Sequence, residues 1–417
     1  MDEQAVERAW REHWSRLLAL LTARFERVDL AEDALAEAFA TAARRWPADG
    51  TPSSPAAWLH RVAQREAIDR LRSEAVGHRA LARAADLLAD RCSDELPEVV
   101  DDEMLRLIFL ACHPQVPHHA QAALALRWVL GLRTERIAGL LAVSTPTMAA
   151  RLTRARQRAV AAPDGLSLPW GTTLDERLAG ALRTIHLFFT SGYAPDEGDD
   201  VVRPSICAEA VRLVAVLDDL LPGRTDIRAL RSLLELQHAR RAARVDAAGE
   251  LVLLADQDRG RWRHDEIATA MTRLLALEPD TGLAEELRLQ ALIAGVHAIA
   301  PTEQETDTRL LLVFYDRLCA LSGDDPVVRL NRAVVHARVH GARRALAELG
   351  EVEPRDHRML GALAELTADA GESDRARELF GRAAATCACV PLRRHYRRRA
   401  GELAPPPSFE PPPRAED

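Results

Sequence analysis

The chain has 417 residues and a formal net charge of −8, enough length for two or three domains with separate cores. Apolar content is ordinary and aromatics are few, and alanine, leucine and arginine predominate without the β-branched alternation of strands, so the composition points to an all-α protein. No apolar run approaches the ~18 residues of a membrane span and no signal peptide is apparent, which together predict a cytoplasmic chain with no membrane association.

In chain order, the first helix is expected over about 4–27, with Trp10, Trp14, Leu17, Leu18, Leu21 and Phe25 at helical spacing. A second fits 30–46, with Ala34, Leu35, Ala38, Phe39 and Ala42 on one side. "WPADGTPSSP" (46–55) reads as a loop because its prolines, glycine and serines favour turns. The helix in "AAWLHRVAQREAIDRLRSEA" has no single apolar stripe and is expected to be buried on more than one side.

Residues 76–103 read as a partly helical linker ending in an acidic run, and 86–103 hold eight acids against one arginine. Helices then fit 102–112, 118–130, 134–142 and 146–160, where residues 104–160 carry eight arginines against one acid, Glu135. The whole-chain charge therefore conceals a cationic segment. All 55 basic residues are arginine.

At 100° per residue, Met148, Leu152, Ala155 and Ala159 fall within about 60° of one another, and Thr147, Arg151, Arg154 and Arg158 form a second stripe. Thr145 can cap this helix and Pro146 suits its first position. A short helix carrying Ile137, Leu140 and Leu141 precedes it across a turn at Ala142–Ser144. That is a helix-turn-helix pattern, in which arginines can reach phosphates or guanine and Thr147 a base edge. A basic solvated helix on an ordinary bundle is the competing reading. The local charge favours DNA.

"AAPDGLSLPWGT" (161–172) marks a domain boundary, and the rest is helical, with loops at 191–200 and around 245–262. Leu360, Leu363, Ala364, Gly371, Ala376, Phe380 and Ala383 match the spacing of one tetratricopeptide (TPR) helix pair. A looser copy lies around Leu330, Gly341 and Leu346. A helical extension over 170–325, TPR-like repeats over 326–403 and a proline-rich disordered tail over 404–417 follow.

The chemistry of catalysis is not apparent: there is no Gly-rich phosphate loop, nucleophile elbow or zinc-protease pattern. Cys92, Cys112, Cys207, Cys319, Cys387 and Cys389 follow no framework spacing, so reduced thiols are expected. "LACHPQVPHH" and Cys387-x-Cys389 lack standard metal spacing, and neither a metal nor a cofactor is expected. "DQDRGRWRHDE" (256–266) is either a solvated surface loop or an internal dock holding the extension to the preceding regions through arginine–carboxylate pairs.

"DLAEDALAEAFATAARRW", "PAAWLHRVAQREAIDRLRSEA" and "LRLIFLACHPQVPHHAQAALALRWVLGLRTERIAGLLAVSTPTMAARLTRARQRA" resemble, in order and spacing, regions 2 and 4 of extracytoplasmic-function sigma factors. "HLFFTSGYAPDEGDD", "CAEAVRLVAVL", "ARRAARVDAAGELVLLADQDRGRW" and "PVVRLNRAVV" resemble the long TPR-like extension of one subgroup. Two details depart: a glutamine common in the core-binding helix is Ala36, and an Asn-Glu pair before Gly192 is Thr190-Ser191.

The resemblance implies that residues 1–75 are region 2, binding core RNA polymerase at the β′ clamp helices through Asp33 and Glu37. It makes 46–58 the −10 reading loop, with Asp49, Ser53 and Ser54 as candidate base contacts and Arg61 and Arg65 on phosphates. Trp46 and Trp58 are expected as core anchors. Residues 104–162 become region 4, meeting the β flap and reading −35 promoter DNA through Thr145, Thr147, Arg151, Arg154 and Arg158. The acidic linker would lie in a basic polymerase channel. The extension would regulate the sigma regions or receive a regulatory protein, small DGPF-motif proteins being candidates. The chain itself would not be an enzyme. A helix-turn-helix regulator with a TPR-type sensor, or a TPR-type scaffold, are the alternatives, separated from the first reading by binding to isolated core polymerase.

Overall fold

The computed structural model describes residues 3–74, 101–140, 143–162, 172–195, 197–198, 200–323 and 325–403. Most of the acidic linker and all of the proline-rich tail lie outside the described residues. Two compact units divide the chain, Met1–Phe188 and Phe189–Asp417. The described residues are almost wholly helical, as expected of an all-α chain.

In the first unit, α1 (Glu3–Phe25), α2 (Val28–Asp49) and α3 (Pro55–Glu74) pack together. Next come α4 (Asp101–Ala111), α5 (His118–Leu130), α6 (Thr134–Leu140) and α7 (Thr145–Val160). α1 ends where Glu26 takes a left-handed φ of 52°. Leu59, His60, Ala63, Gln64, Ala67 and Ile68 of α3 are buried, covering about half of the helix circumference. This is the many-sided burial that the lack of a stripe predicts.

Two local expectations need correction. α2 does not stop at Trp46 but continues through Pro47 to Asp49, so only residues 50–54 form the loop. Trp46 is fully buried, edge-on to Trp58 at 5.6 Å between ring centroids, and that packing holds the last turn in place. The carbonyl that Pro47 displaces belongs to exposed Ala43, where water can satisfy it. At the start of α7, Ser144 and not Thr145 is the cap: its hydroxyl oxygen accepts from the Thr147 backbone N–H at 3.4 Å.

One core runs through α1–α3 and α4–α7. Trp10 stacks on Trp14 at 4.1 Å between centroids, with Phe39 against both. α1 also closes the end of α5. Trp10 Nε1–H donates to the Gly131 carbonyl at 2.6 Å, and the Ser15 hydroxyl donates to the Val129 carbonyl. These helix-end carbonyls have no partner within their own helix. Gly131 is obligatory in kind: its φ is 63°, and a Cβ there would stand 2.6 Å from Trp14 ring carbons.

α8 (Thr172–Tyr193) contains the division between the units. Its first part lies against α4 and α5. The Cys112 thiol meets Thr184 Oγ1 at 3.6 Å, and a Cβ on Gly180 would lie 3.1 Å from Cys112 Cβ.

The second unit contains β1 (Glu197–Gly198), α9 (Pro204–Leu220), α10 (Thr225–His238), α11 (His264–Leu275), α12 (Gly282–Ile299) and α13 (Thr308–Ser322). α14 (Pro326–His340) pairs with α15 (Ala342–Leu349), and α16 (His357–Asp369) with α17 (Ser373–Thr386); β2 (Ala388–Cys389) and α18 (Val390–Glu402) complete it. The 191–200 stretch is not all loop. α8 runs to Tyr193, and β1 pairs in parallel with β2, a contact between segments far apart in sequence. Leu360, Leu363, Ala364, Ala376, Phe380 and Ala383 are buried, while Gly371 makes the α16–α17 turn at φ 86°. Gly361 also admits the Tyr396 ring, which a Cβ would meet at 2.6 Å.

Candidate nucleic-acid interface

The outer side of α7 offers the first candidate surface. Met148, Leu152, Ala155 and Ala159 are buried, so the remaining circumference must face outward. Thr147, Arg154 and Arg158 are exposed, with Thr145 and Arg151 half-buried beside them. Arg151, Arg154 and Arg158 meet no carboxylate among the described residues; Arg154 Nε donates only to the Ala150 carbonyl, at 3.2 Å. Exposed Thr153 and Gln157 extend this surface, and the arginine stripe alone did not single them out.

The second surface is the α2–α3 turn. Asp49, Ser53 and Ser54 are exposed, Arg65 is exposed on α3, and Arg61 is half-buried with its Nε turned inward. Arg45 is also exposed one turn before Asp49. Its neighbour Arg44 pairs with Glu37 at 2.9 Å. Beneath the turn, His60 is buried beside Gln64. Burial, and secondarily the charge of Arg24, push its pKa down to about 4.

The acids expected to face a partner, Asp33 and Glu37, have different surroundings. Asp33 pairs with Arg156 of α7 at 3.0 Å and with Arg70 of α3 at 3.6 Å, while Glu37 pairs only locally with Arg44. Neighbouring Glu32 is nearly buried. It accepts from Arg127 Nε at 2.9 Å and Trp128 Nε1 at 3.0 Å, with Arg156 Nε at 3.8 Å. Arg156 also donates to the Asp29 carbonyl at 2.8 Å. Burial opposes the charge on Arg156, but Asp33, Glu32 and Asp29 outweigh it and raise its pKa. Sequence reasoning missed this group. The only signal available was that Arg156 falls outside the stripe formed by its neighbouring arginines.

Among the described residues, no group of three or more histidine, cysteine or acidic side chains is placed so that it could hold a metal ion. The side chains of His118 and His119 lie outside that description. Burial raises the pKa of the Cys112 thiol to about 11 and that of Cys207 to about 12. Cys387 and Cys389 are both buried and unbridged, the Cys387 thiol donating to the Cys389 carbonyl at 3.4 Å. In the charged 256–266 stretch, Arg259 donates to the His297 and Ala300 carbonyls and pairs with Glu303 at 2.9 Å, and Glu266 pairs with Arg241. All of these partners lie in the second unit.

Residues 9–76 match the family described as Sigma-70 region 2, and residues 177–277 match a family of unknown function, DUF6596. The chain is 35% identical over 402 residues to "Uncharacterized protein R00370" of Rhizobium meliloti (strain 1021), covering 92% of each. No solved structure matches the chain.

Proposed function

We propose that the chain, whose residues 9–76 match the Sigma-70 region 2 family, is an alternative sigma factor of the extracytoplasmic-function type that binds core RNA polymerase and promoter DNA. In this reading α1–α3 bind the β′ clamp helices through Asp33 and Glu37. The turn at 50–54 then reads the −10 element, with Asp49, Ser53 and Ser54 on unstacked bases and Arg61 and Arg65 on phosphates. α6 and α7 act as a helix-turn-helix: Thr145, Thr147 and Arg151 approach base edges of the −35 element, and Arg154 and Arg158 its phosphates. The surrounding fold would also meet the β flap.

The observation that carries the reading is the uncompensated arginine face of α7 on the same chain as a region 2. A protein that binds DNA needs positive charge concentrated where phosphates arrive, whatever its overall charge. The chain would supply promoter choice and no catalysis, acting in the cytoplasm. Binding of the full chain to isolated core polymerase, followed by promoter-dependent run-off transcription, tests it. No binding under any condition would refute the sigma-factor reading.

Residues 189–417 are proposed as a regulatory extension whose helix pairs are TPR-like and receive a regulatory protein. Residues 172–188 pack on Cys112 and belong with the first unit, so the informative truncation follows Pro195 and not Ala162. A change in transcription in either direction supports regulation by the extension, and unchanged output refutes it.

A further inference from the structure

In the second unit, Arg231, Arg241, Arg259, Arg273 and Arg288 each meet a carboxylate at 2.9 Å or less. Two arginines just after α10 do not. Arg240 and Arg244 meet no carboxylate among the described residues, and both turn to Tyr193 instead. Arg240 Nη2 donates to the Tyr193 hydroxyl at 2.8 Å and Arg244 Nη2 to the Tyr193 carbonyl at 2.9 Å. The Arg244 guanidinium carbon lies 3.6 Å from the centroid of the Tyr193 ring. Arg240 is only 8% exposed and stands 5.8 Å from the ring of buried Trp262. The Arg244 Nε is buried and finds no acceptor among the described residues.

The acids nearest in sequence are committed elsewhere. Asp246 Oδ1 accepts the backbone N–H groups of Ala248 and Glu250 at 2.8 and 2.9 Å, closing the turn after Arg244, and Glu250 pairs with Arg394 at 2.6 Å. The neighbouring Cys207 thiol stays neutral, because burial raises its pKa. Burial lowers the pKa of Arg244, with Tyr193 opposing and the charge of Arg240 adding to the effect. Two like charges partly withdrawn from water cost free energy that a hydroxyl and a carbonyl dipole offset only in part. One dianion would neutralise both, and a guanidinium presents the N–H fork that fits phosphate oxygens. Arg244 and Tyr193 are half-buried, so an ion can reach them from solvent. The Tyr193 ring already carries Arg244 and stacks on Phe189, which leaves charge, and not base stacking, to select the ligand.

We propose that Arg240 and Arg244, held around Tyr193, form a binding site for a phosphate dianion, either the free ion or a small phosphate monoester. The inference concerns residues 189–417 alone and does not depend on the sigma-factor reading. A phosphate oxygen gives the Arg244 Nε–H the acceptor it lacks, and Arg240, set deeper, supplies the second positive charge.

The test uses the full chain. Calorimetric titration with inorganic phosphate, at ionic strength held constant with sodium chloride, should show one saturable site with a Kd of about 1 mM or tighter, within reach of an ion this small. Sulfate, also a tetrahedral dianion, should compete. Glycerol 3-phosphate is titrated beside it: tighter binding than that of inorganic phosphate identifies a monoester as the ligand, and weaker binding identifies the free ion. R240Q and R244Q are each expected to weaken binding at least about tenfold, as for loss of a charged hydrogen bond or close ion pair. R261Q removes an exposed arginine that touches the Val245 carbonyl and should leave binding unchanged. R244K keeps the charge without the fork and should fall between R244Q and wild type; it decides if either glutamine variant fails to keep its helical signal. With a Kd of about 1 mM, about 10 mM phosphate should slow hydrogen exchange over 240–244 by about tenfold. Heats that do not saturate, wild-type affinity in both R240Q and R244Q, or an equal loss in R261Q would overturn the site.

Discussion

Replacing Gly131 with alanine tests the packing of α5 on α1. Two costs add. The residue has φ 63° and ψ 22°, and the left-handed region costs a residue with a Cβ about 1–2 kcal/mol. The added Cβ would also stand 2.6 Å from the Trp14 ring, which is already stacked on Trp10. Relief of such overpacking costs about 1–3 kcal/mol more. The sum, about 2–5 kcal/mol, is large against the stability of a domain this size. Gly323 supplies the matched control, with φ 60°, ψ 44° and nothing within 4 Å of where a Cβ would stand, so G323A carries the backbone cost alone. Six of the seven tryptophans precede residue 189, so urea unfolding followed by tryptophan fluorescence reads the G131A loss. Hydrogen exchange of peptides from α13 reads that of G323A. G131A should be the more damaging by at least about 1 kcal/mol. Equal losses would mean that Trp14 yields freely and that the α1–α5 contact is not tightly packed.

Further outcomes follow from the same surfaces. Arg154→Ala and Arg158→Ala should each weaken binding to −35 duplexes of any sequence and flatten the log–log salt dependence by about 0.9 per lost phosphate contact. Filter binding at several salt concentrations measures this, and an unchanged slope would exclude both from phosphate contact. His60 is neutral in the fold, with its pKa pushed to about 4 from an ordinary 6.5. The unfolded chain therefore binds the extra proton first as pH falls through 6.5, and stability is lost between that value and about 4, by up to about 3 kcal/mol. H60N should lose less stability than wild type between pH 7 and pH 4.5 in urea titrations, and identical acid limbs would refute the assignment. Maleimide should label half-buried Cys319 of the native protein well before Cys112, Cys207, Cys387 or Cys389, because burial keeps those thiols shielded. Mass spectrometry of labelled peptides orders the rates, and early modification of Cys112 would show that α8 does not stay on α4.

Much of this protein was legible in one dimension because its information is local. Helical periodicity identified the buried faces of α1, α2 and α7, and an inward set such as Met148, Leu152, Ala155 and Ala159 follows from 3.6 residues per turn whatever the rest of the chain does. The cationic face of α7 was readable for the same reason. Local rules failed where distant groups decided. Pro47 and Gly50 are turn residues by composition, yet the burial of Trp46 against Trp58 carries α2 to Asp49. Asp33 is a solvated acid on a helix until folding brings Arg156, more than a hundred residues away in sequence, to 3.0 Å. The pairing of β1 with β2 joins segments separated by nearly as much as the unit that holds them. Sequence by itself determined the helices and the faces that bury; the tertiary structure alone decided which charges meet, since a Coulombic contact depends on separation in space and carries no periodicity along the chain.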